Sequence, residues 1–237
     1  MTNEEFVRIA KTIAASHTMY ASGTFGQQFS EAFIKQKQSQ YPSWYYPYRV
    51  DAIRREAASG PLYLFDCCGL IKAIIWGWPN TKYASGNLPD VNDSGIWTKY
   101  CYECSSDFSN IVPGEIMHMQ GHVGIYIGGG KVIEATTRWE NKVLVSSIYK
   151  EDTHFRQWQA HGKLKQLEYS QGTNAGQPAE LAEPAPYSDV TYYIVKKGDC
   201  LSKIAAIYNM KLKDIIELNP EIINPNLIYP GQKIRIK

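Results

Sequence analysis

From Tyr169 to Val190 the chain reads YSQGTNAGQPAELAEPAPYSDV, with no Lys or Arg and a dominance of Pro, Ala, Gly, Gln and Ser. Such a stretch offers neither the apolar stripe of a helix nor the alternation of a strand, so it reads as a linker. It leaves residues 1–168, enough for one full core, and residues 191–237, a small satellite. Charge divides at the same place. Residues 191–237 hold 8 Lys/Arg against 4 Asp/Glu, whereas residues 1–168 hold 17 against 16. The C-terminal basicity suits an anionic surface, but a formal charge of +2 over the whole chain does not point to nucleic acid.

The five cysteines form an odd set with one adjacent pair, unlike the disulfide framework of a small secreted scaffold, and a reactive thiol fits them better. The first residues, MTNEEFVRIAKTIAAS, carry acidic groups early and no apolar signal core, and no run is long enough to span a membrane. The reading is therefore of no membrane span and no secretory leader, as in a phage lysin or tail component, although a chain trimmed of its leader would read the same. The 17 Tyr and 6 Trp provide flat amphipathic surfaces suited to sugar or peptide grooves, most of them serving as core.

Two constellations carry chemistry. In Phe65-Asp66-Cys67-Cys68-Gly69-Leu70 a cysteine opens a helix predicted over about 67–76, with a buried stripe of Leu70, Ile71, Ile74 and Ile75. A helix N-terminus lowers a thiol pKa, and its unclaimed N–H groups can hold an oxyanion. In Gly121-His122-Val123-Gly124-Ile125-Tyr126-Ile127, strand alternation sends Val123, Ile125 and Ile127 to the core and His122 to a cleft floored by Gly124. There His122 can take a thiol proton and return it to a leaving amine. Alone, each has a plainer reading: a small buried cysteine and a structural histidine. An N-terminal helix with Phe6, Ile9, Ala10 and Ile13 on one face precedes them, and the segments from Gln27 to Pro61 and from Trp78 to Asn110 read as insertions or cleft-lining loops.

Together, DCCGL at 66–70, VPGEIMHM at 112–119 and HVGIYIGGGKVIEA at 122–135 resemble the NlpC/P60 cysteine peptidases across most of residues 1–168. The resemblance implies an α+β, papain-like domain, with a nucleophile helix packed on a small antiparallel sheet. It aligns Cys67 with the nucleophile, His122 with the base and Tyr20, in Tyr20-Ala21-Ser22-Gly23, with an oxyanion-site tyrosine, while Asp66 joins the substrate-binding residues. Cys68 stands where serine is common and reads as packing. The third catalytic position, often histidine, falls on Glu134, which could fix the tautomer of His122. A three-residue turn at Gly128-Gly129-Gly130 would put Glu134 on the face of His122, and a two-residue turn would send it away. Activity is expected to rise with pH through the titration of His122 and Cys67, and to be blocked by thiol alkylation.

Cys101-x-x-Cys104 followed by His118-x-x-x-His122 has zinc-finger spacing, but Pro113-Gly114 and Gly121 break the helix that such histidines need, so no metal and no cofactor is expected.

Residues 191–237 predict a βααβ unit, with Asp199 capping a helix of Leu201, Ile204, Ala205 and Tyr208, and Tyr229-Pro230-Gly231-Gln232 turning into a last strand. This resembles a LysM domain over its full length. By position the resemblance implies glycan contacts at Gly198, Asp199, Cys200 and Leu201 and, opposite, at Asn226, Leu227 and Ile228. The expected partner is peptidoglycan, through its stem peptide and its N-acetylglucosamine-containing glycan. The expected function is a hydrolase acting at the bacterial cell wall on a stem-peptide amide, the family pointing to the D-γ-glutamyl–diamino acid bond. An N-acetylmuramoyl-L-alanine amidase, an acyltransferase using the same thiol, and a non-catalytic wall-binding or phage structural protein with a degenerate peptidase fold stay open.

Overall fold

Two short strands far apart in sequence meet edge to edge: β1 (Thr18–Tyr20) runs parallel to β3 (Tyr63–Phe65), and Tyr20 lies opposite Phe65. The computed structural model describes residues 1–169, 192–196, 199–208, 210–219, 228 and 233–236, and divides the chain into two units, Met1–Pro178 and Ala179–Lys237. Between β1 and β3 the chain forms β2 (Phe25–Gln28), α2 (Glu31–Gln40) and α3 (Pro47–Ala57). These elements have a core of their own, in which Ile34, Tyr45, Val50 and Ile53 pack on Leu62 and Leu64. The sequence reading missed both helices, and α2 shows why: it buries only Ile34 and Lys37, too few positions to make a periodic stripe. Their caps are nonetheless ordinary, Ser30 accepting from the Phe33 amide and Pro47 opening α3.

Directly after β3, α4 (Cys67–Ile75) begins at Asp66, whose Oδ1 accepts from the Gly69 amide at 2.5 Å. A Cβ on Gly69 would lie 1.8 Å from the Thr24 carbonyl oxygen, so only glycine lets this helix approach the loop before β2 so closely. Helix α1 (Asn3–Ala14) buries Phe6, Ala10 and Ile13 and packs on α4. A turn of helix, α5 (Asp93–Gly95), runs into a π-helical turn at Ile96–Tyr100 and then into β4 (Cys101–Ser105), so the segment expected as loop supplies an edge strand.

With β4, strands β5 (Ile116–Met119), β6 (His122–Gly128), β7 (Lys131–Thr136), β8 (Lys142–Ser147) and β9 (Ala160–Leu164) form a six-stranded antiparallel sheet of order β4-β9-β5-β6-β7-β8. Val123, Ile125, Ile133, Ala135 and Val143 join the core shared with α1 and α4. Tyr169, the first residue of the predicted linker, belongs to this unit, because its hydroxyl donates to the Gly114 carbonyl at 3.0 Å and accepts from the Leu164 amide. Residues 170–190 lie outside the described residues.

In the second unit, β10 (Tyr192–Ile194) pairs antiparallel with β11 (Lys233–Arg235), and α6 (Leu201–Ile207) and α7 (Leu212–Glu217) lie between them in sequence. Val195, Leu201, Ile204, Ala205, Ile215, Ile234 and Ile236 form its core. No helix among the described residues is long and apolar enough to cross a membrane.

Candidate active site

Cys67 is the first residue of α4 and is buried. The Asp66 side chain takes the Gly69 N–H and the Asp66 carbonyl takes that of Leu70, which leaves the Cys67 and Cys68 amides as the first-turn donors outside the helical ladder. The Cys67 thiol pKa is held well below the ordinary thiol range. Cys68, whose sulfur is 3.9 Å away, is the main cause; burial opposes it, and His122 and the Val123 amide add to the lowering. Cys68 moves the other way, raised by the same contact and by burial, and remains a thiol packed in the core. Of the two adjacent sulfurs, Cys67 is the one that His122 and the Val123 amide favour as thiolate.

His122 stands at the start of β6, where its Nε2 meets Glu134 Oε2 at 2.7 Å, leaving Nδ1 as the ring nitrogen for the thiol. Burial depresses the His122 pKa, but Cys67 and Glu134 outweigh it and carry the value up to about 9. The turn before Glu134 is of two residues, Gly129 and Gly130 at positive φ, since Gly128 pairs with Lys131. By the sequence argument that would turn Glu134 away. A bulge at Ile127 restores the register instead: Ile125 lies opposite Ile133, and Glu134 follows on the face of His122.

Two residues at this site went unnoticed in the sequence. Arg156 donates from Nε to Glu134 Oε1 at 2.8 Å, pairs through Nη2 with Oε2 at 2.7 Å and reaches Thr136 Oγ1 at 3.0 Å. Glu134 is fully buried and Arg156 nearly so. Burial raises the Glu134 pKa, yet His122 and Arg156 together keep it below the usual glutamate value. Trp158 stacks on His122 with ring centroids 5.6 Å apart and interplanar angle 17°. It also covers Gly124, where a Cβ would fall 2.9 Å from its Cη2. The predicted glycine-floored cleft is therefore corrected: this face of β6 is roofed by a second apolar cluster of Ile111, Met117, Tyr126, Val132 and Trp158. Neither Arg156 nor Trp158 falls in a motif, and the sequence around them, EDTHFRQWQA, carries no signal of their burial.

The opening to Cys67 lies on its other side, in a cleft of about 330 Å³ lined in part by Tyr20, Ser22, Asp66, Cys67, Lys72 and Asn92. Tyr20 reaches it because β1 is paired with the strand that leads into Cys67, so the intervening insertion loops out without separating the two. Burial first, and then the charge of Cys67, raises the Tyr20 pKa, so the hydroxyl keeps its proton as a donor. Asp66 is engaged by the Gly69 and Gly23 amides, the latter at 2.8 Å, and burial and the charge of Cys67 push its pKa up to about 6. Asp66 thus anchors the helix and the cleft wall together.

These shifts give a pH prediction. With Cys67 deprotonated early and His122 protonated to about 9, the thiolate–imidazolium pair spans neutrality. The profile of kcat/KM, which reports the free enzyme, is expected to rise on Cys67 ionisation, level off through neutrality and fall with a midpoint near 9. Loss of the His122 proton is expected to lower activity, where the sequence alone leads to a rise through the same titration, and a continued rise beyond pH 10, on the order of one unit past that midpoint, would contradict the pairing. Because the folded pKa of His122 exceeds the ordinary ~6.5, its contribution to stability is complete below about 6.5 and is lost as pH rises through about 9.

Among the described residues, one set of three metal-ligand side chains comes within 4.8 Å, that of Asp66, Cys67 and Cys68. Cys101 and Cys104 sit on β4, separated from His122 on β6 by β9 and β5, and His118 stacks on Trp97. The zinc-finger spacing therefore does not gather into one site. In the second unit, Cys200 rather than Asp199 is the N-cap of α6. Asp199 accepts from the Lys196 amide at 2.7 Å and the Tyr193 hydroxyl at 2.8 Å. Leu201 is a core residue, leaving its backbone for any contact, while Cys200 is exposed beside Ser202. Ile228 is partly buried against the same core; Gly198, Asn226 and Leu227 lie outside the described residues.

Residues 193–237 match the LysM domain family, so the chain carries a LysM domain at its C-terminal end. The endolysin of Bacillus phage B103 is 49% identical over 49 residues, 21% of this chain and 19% of that protein. The endolysin of Bacillus phage PZA is 41% identical over 64 residues, 27% of this chain and 25% of that protein. The matches thus span a quarter or less of those relatives. Among solved structures, NlpC1 from Trichomonas vaginalis overlaps 68% of this chain and 44% of that one, with 16% identity and a TM-score of 0.38.

Proposed function

We propose that the chain is a peptidoglycan hydrolase, a cysteine endopeptidase (residues 1–168, extended by Tyr169) tethered through a linker (170–190) to a wall-binding LysM domain (191–237). The observation that carries this reading is the Cys67–His122–Glu134 alignment, in which Cys68 first and His122 after it lower the thiol pKa while Cys67 and Glu134 raise that of the imidazole. The Cys67 thiolate attacks a stem-peptide carbonyl carbon, and the new oxyanion is held by the Cys67 and Cys68 amides and the Tyr20 hydroxyl. The His122 imidazolium gives its proton to the departing amine as the C–N bond breaks, leaving a thioester. Neutral His122 then takes a proton from water, whose oxygen attacks the thioester, and Cys67 leaves as thiolate. Glu134 holds the ring in orientation throughout. The LysM domain raises the local concentration of the catalytic unit at the wall, in line with the endolysin relatives that share this segment. The scissile bond in this reading is D-γ-glutamyl–diamino acid.

Digestion of purified peptidoglycan followed by mass spectrometry tests it. The expected fragments carry a new amino terminus on the diamino acid and a new glutamyl carboxylate. Release of whole stem peptides from muramic acid would instead make the chain an amidase. Binding to wall without any fragment would leave a non-catalytic wall protein.

A further inference from the structure

Beyond the cleft of Cys67 opens a second hollow of about 550 Å³, walled by α2 and sharing Gly23, Phe25, Tyr41 and Asp90 with the first, so the two form one continuous groove. Gln27, Gln36 and Gln40 line it, and side-chain amides of this kind can both donate to and accept from peptide groups. Lys37, also in its lining, is 7% exposed. Its Nζ donates to the Gly23 carbonyl at 2.6 Å and lies 5.4 Å from the ring centroids of both Phe33 and Tyr41. No ion pair holds it among the described residues. The neighbouring Asp90 is engaged by Lys72 and by Tyr83, and Asp66 by the Gly69 and Gly23 amides.

Burying an ammonium with no counter-ion in contact opposes folding, Asp66 and Asp90 acting on Lys37 only from a distance, and an apolar residue of similar length would fill this aromatic enclosure without that cost. The gap is what an anionic ligand would complete, since a carboxylate accepts short charge-assisted bonds from an ammonium in a desolvated site. We infer that this hollow is a substrate subsite in which Lys37 binds a free carboxylate of the peptide flanking the scissile amide. The inference rests on the reading of Cys67 as the nucleophile of a peptidoglycan hydrolase. It gives the insertion between β1 and β3 a purpose: α2 carries the specificity-determining cation to the edge of the nucleophile's cleft. The competing role for Lys37 is structural, holding Gly23 so that the Gly23 amide can bind Asp66. That role would affect every substrate alike.

The test uses the full chain as wild type, Lys37→Met and Lys37→Arg on two synthetic stem peptides, identical except that the α-carboxylate of the γ-linked glutamyl residue is free in one and amidated in the other. Wild type is expected to prefer the free carboxylate by roughly tenfold or more in kcat/KM, the scale of one charge-assisted hydrogen bond. Lys37→Met is expected to abolish that preference mainly through KM, with Lys37→Arg keeping part of it. Equal treatment of both peptides by a wild type that digests whole wall would overturn the subsite, as would equal loss on both peptides in Lys37→Met. A wild type inert on whole peptidoglycan would overturn the hydrolase reading and the subsite with it.

Discussion

Replacing Cys67 with Ala is expected to lower fragment release from purified peptidoglycan by roughly 10⁴- to 10⁶-fold, while the protein still sediments with wall. Cys68→Ala is expected to stay within a few fold of wild type. The asymmetry follows from the environments of two adjacent thiols. Both thiols line the cleft and the core, but Cys67 is the one beside His122, which helps to lower its pKa, whereas the pKa of Cys68 is raised. Since Cys68 is also the main influence lowering the Cys67 pKa, its removal should move the acid limb of the pH profile upward while leaving the limb near 9 with His122. Thiol alkylation rates at each position, read by peptide mass mapping, offer a check independent of turnover. Loss of cleavage in Cys68→Ala alone would assign the chemistry to the wrong sulfur.

Arg156→Met should cost about 3–5 kcal/mol of stability, the usual penalty for removing one partner of a buried ion pair, and should also alter turnover. Glu134 has no exposure, and Arg156 engages both of its oxygens. Without the guanidinium, the carboxylate meets His122 alone. Its charge then acts on the imidazole uncompensated, so the basic limb should move above 9, and its own pKa should rise from its lowered position. In the native protein the Glu134 contribution to stability is present above the ordinary glutamate pKa and is lost as pH falls through the lowered folded value. The Glu134→Gln, Arg156→Met double variant leaves neither charge buried alone and should be less destabilised than the sum of the single changes. Denaturant melts of the four proteins measure that coupling. An Arg156→Met protein within about 1 kcal/mol of wild type, the ordinary range of a single substitution, would show that the pair does not bear on the fold.

How far each residue could be read from sequence depended on how local its signal is. The apolar stripe of α4, the alternation along β6 and β7 and the βααβ pattern of the C-terminal unit are set by neighbours a few positions apart, and those elements were predicted near their observed bounds, whereas the Asp66 cap was not read from sequence. Helix α2 and strand β9 were not, because α2 buries only two positions and β9 gains its character from pairing with β4 and β5.

The position of Cys67 at a helix start was thus legible in sequence alone, as was that of the histidine that heads an alternating strand. What surrounds them was decided only in three dimensions. Tyr20 is brought to the cleft by a parallel pairing across an inserted subdomain, Glu134 by a bulge that offsets a two-residue turn, and Arg156 and Trp158 by the chain's return after β8. Side-chain periodicity and capping operate over one or two turns of backbone. The burial of an ion pair depends instead on which distant segments the core brings together, and that pairing leaves no regular spacing in the sequence.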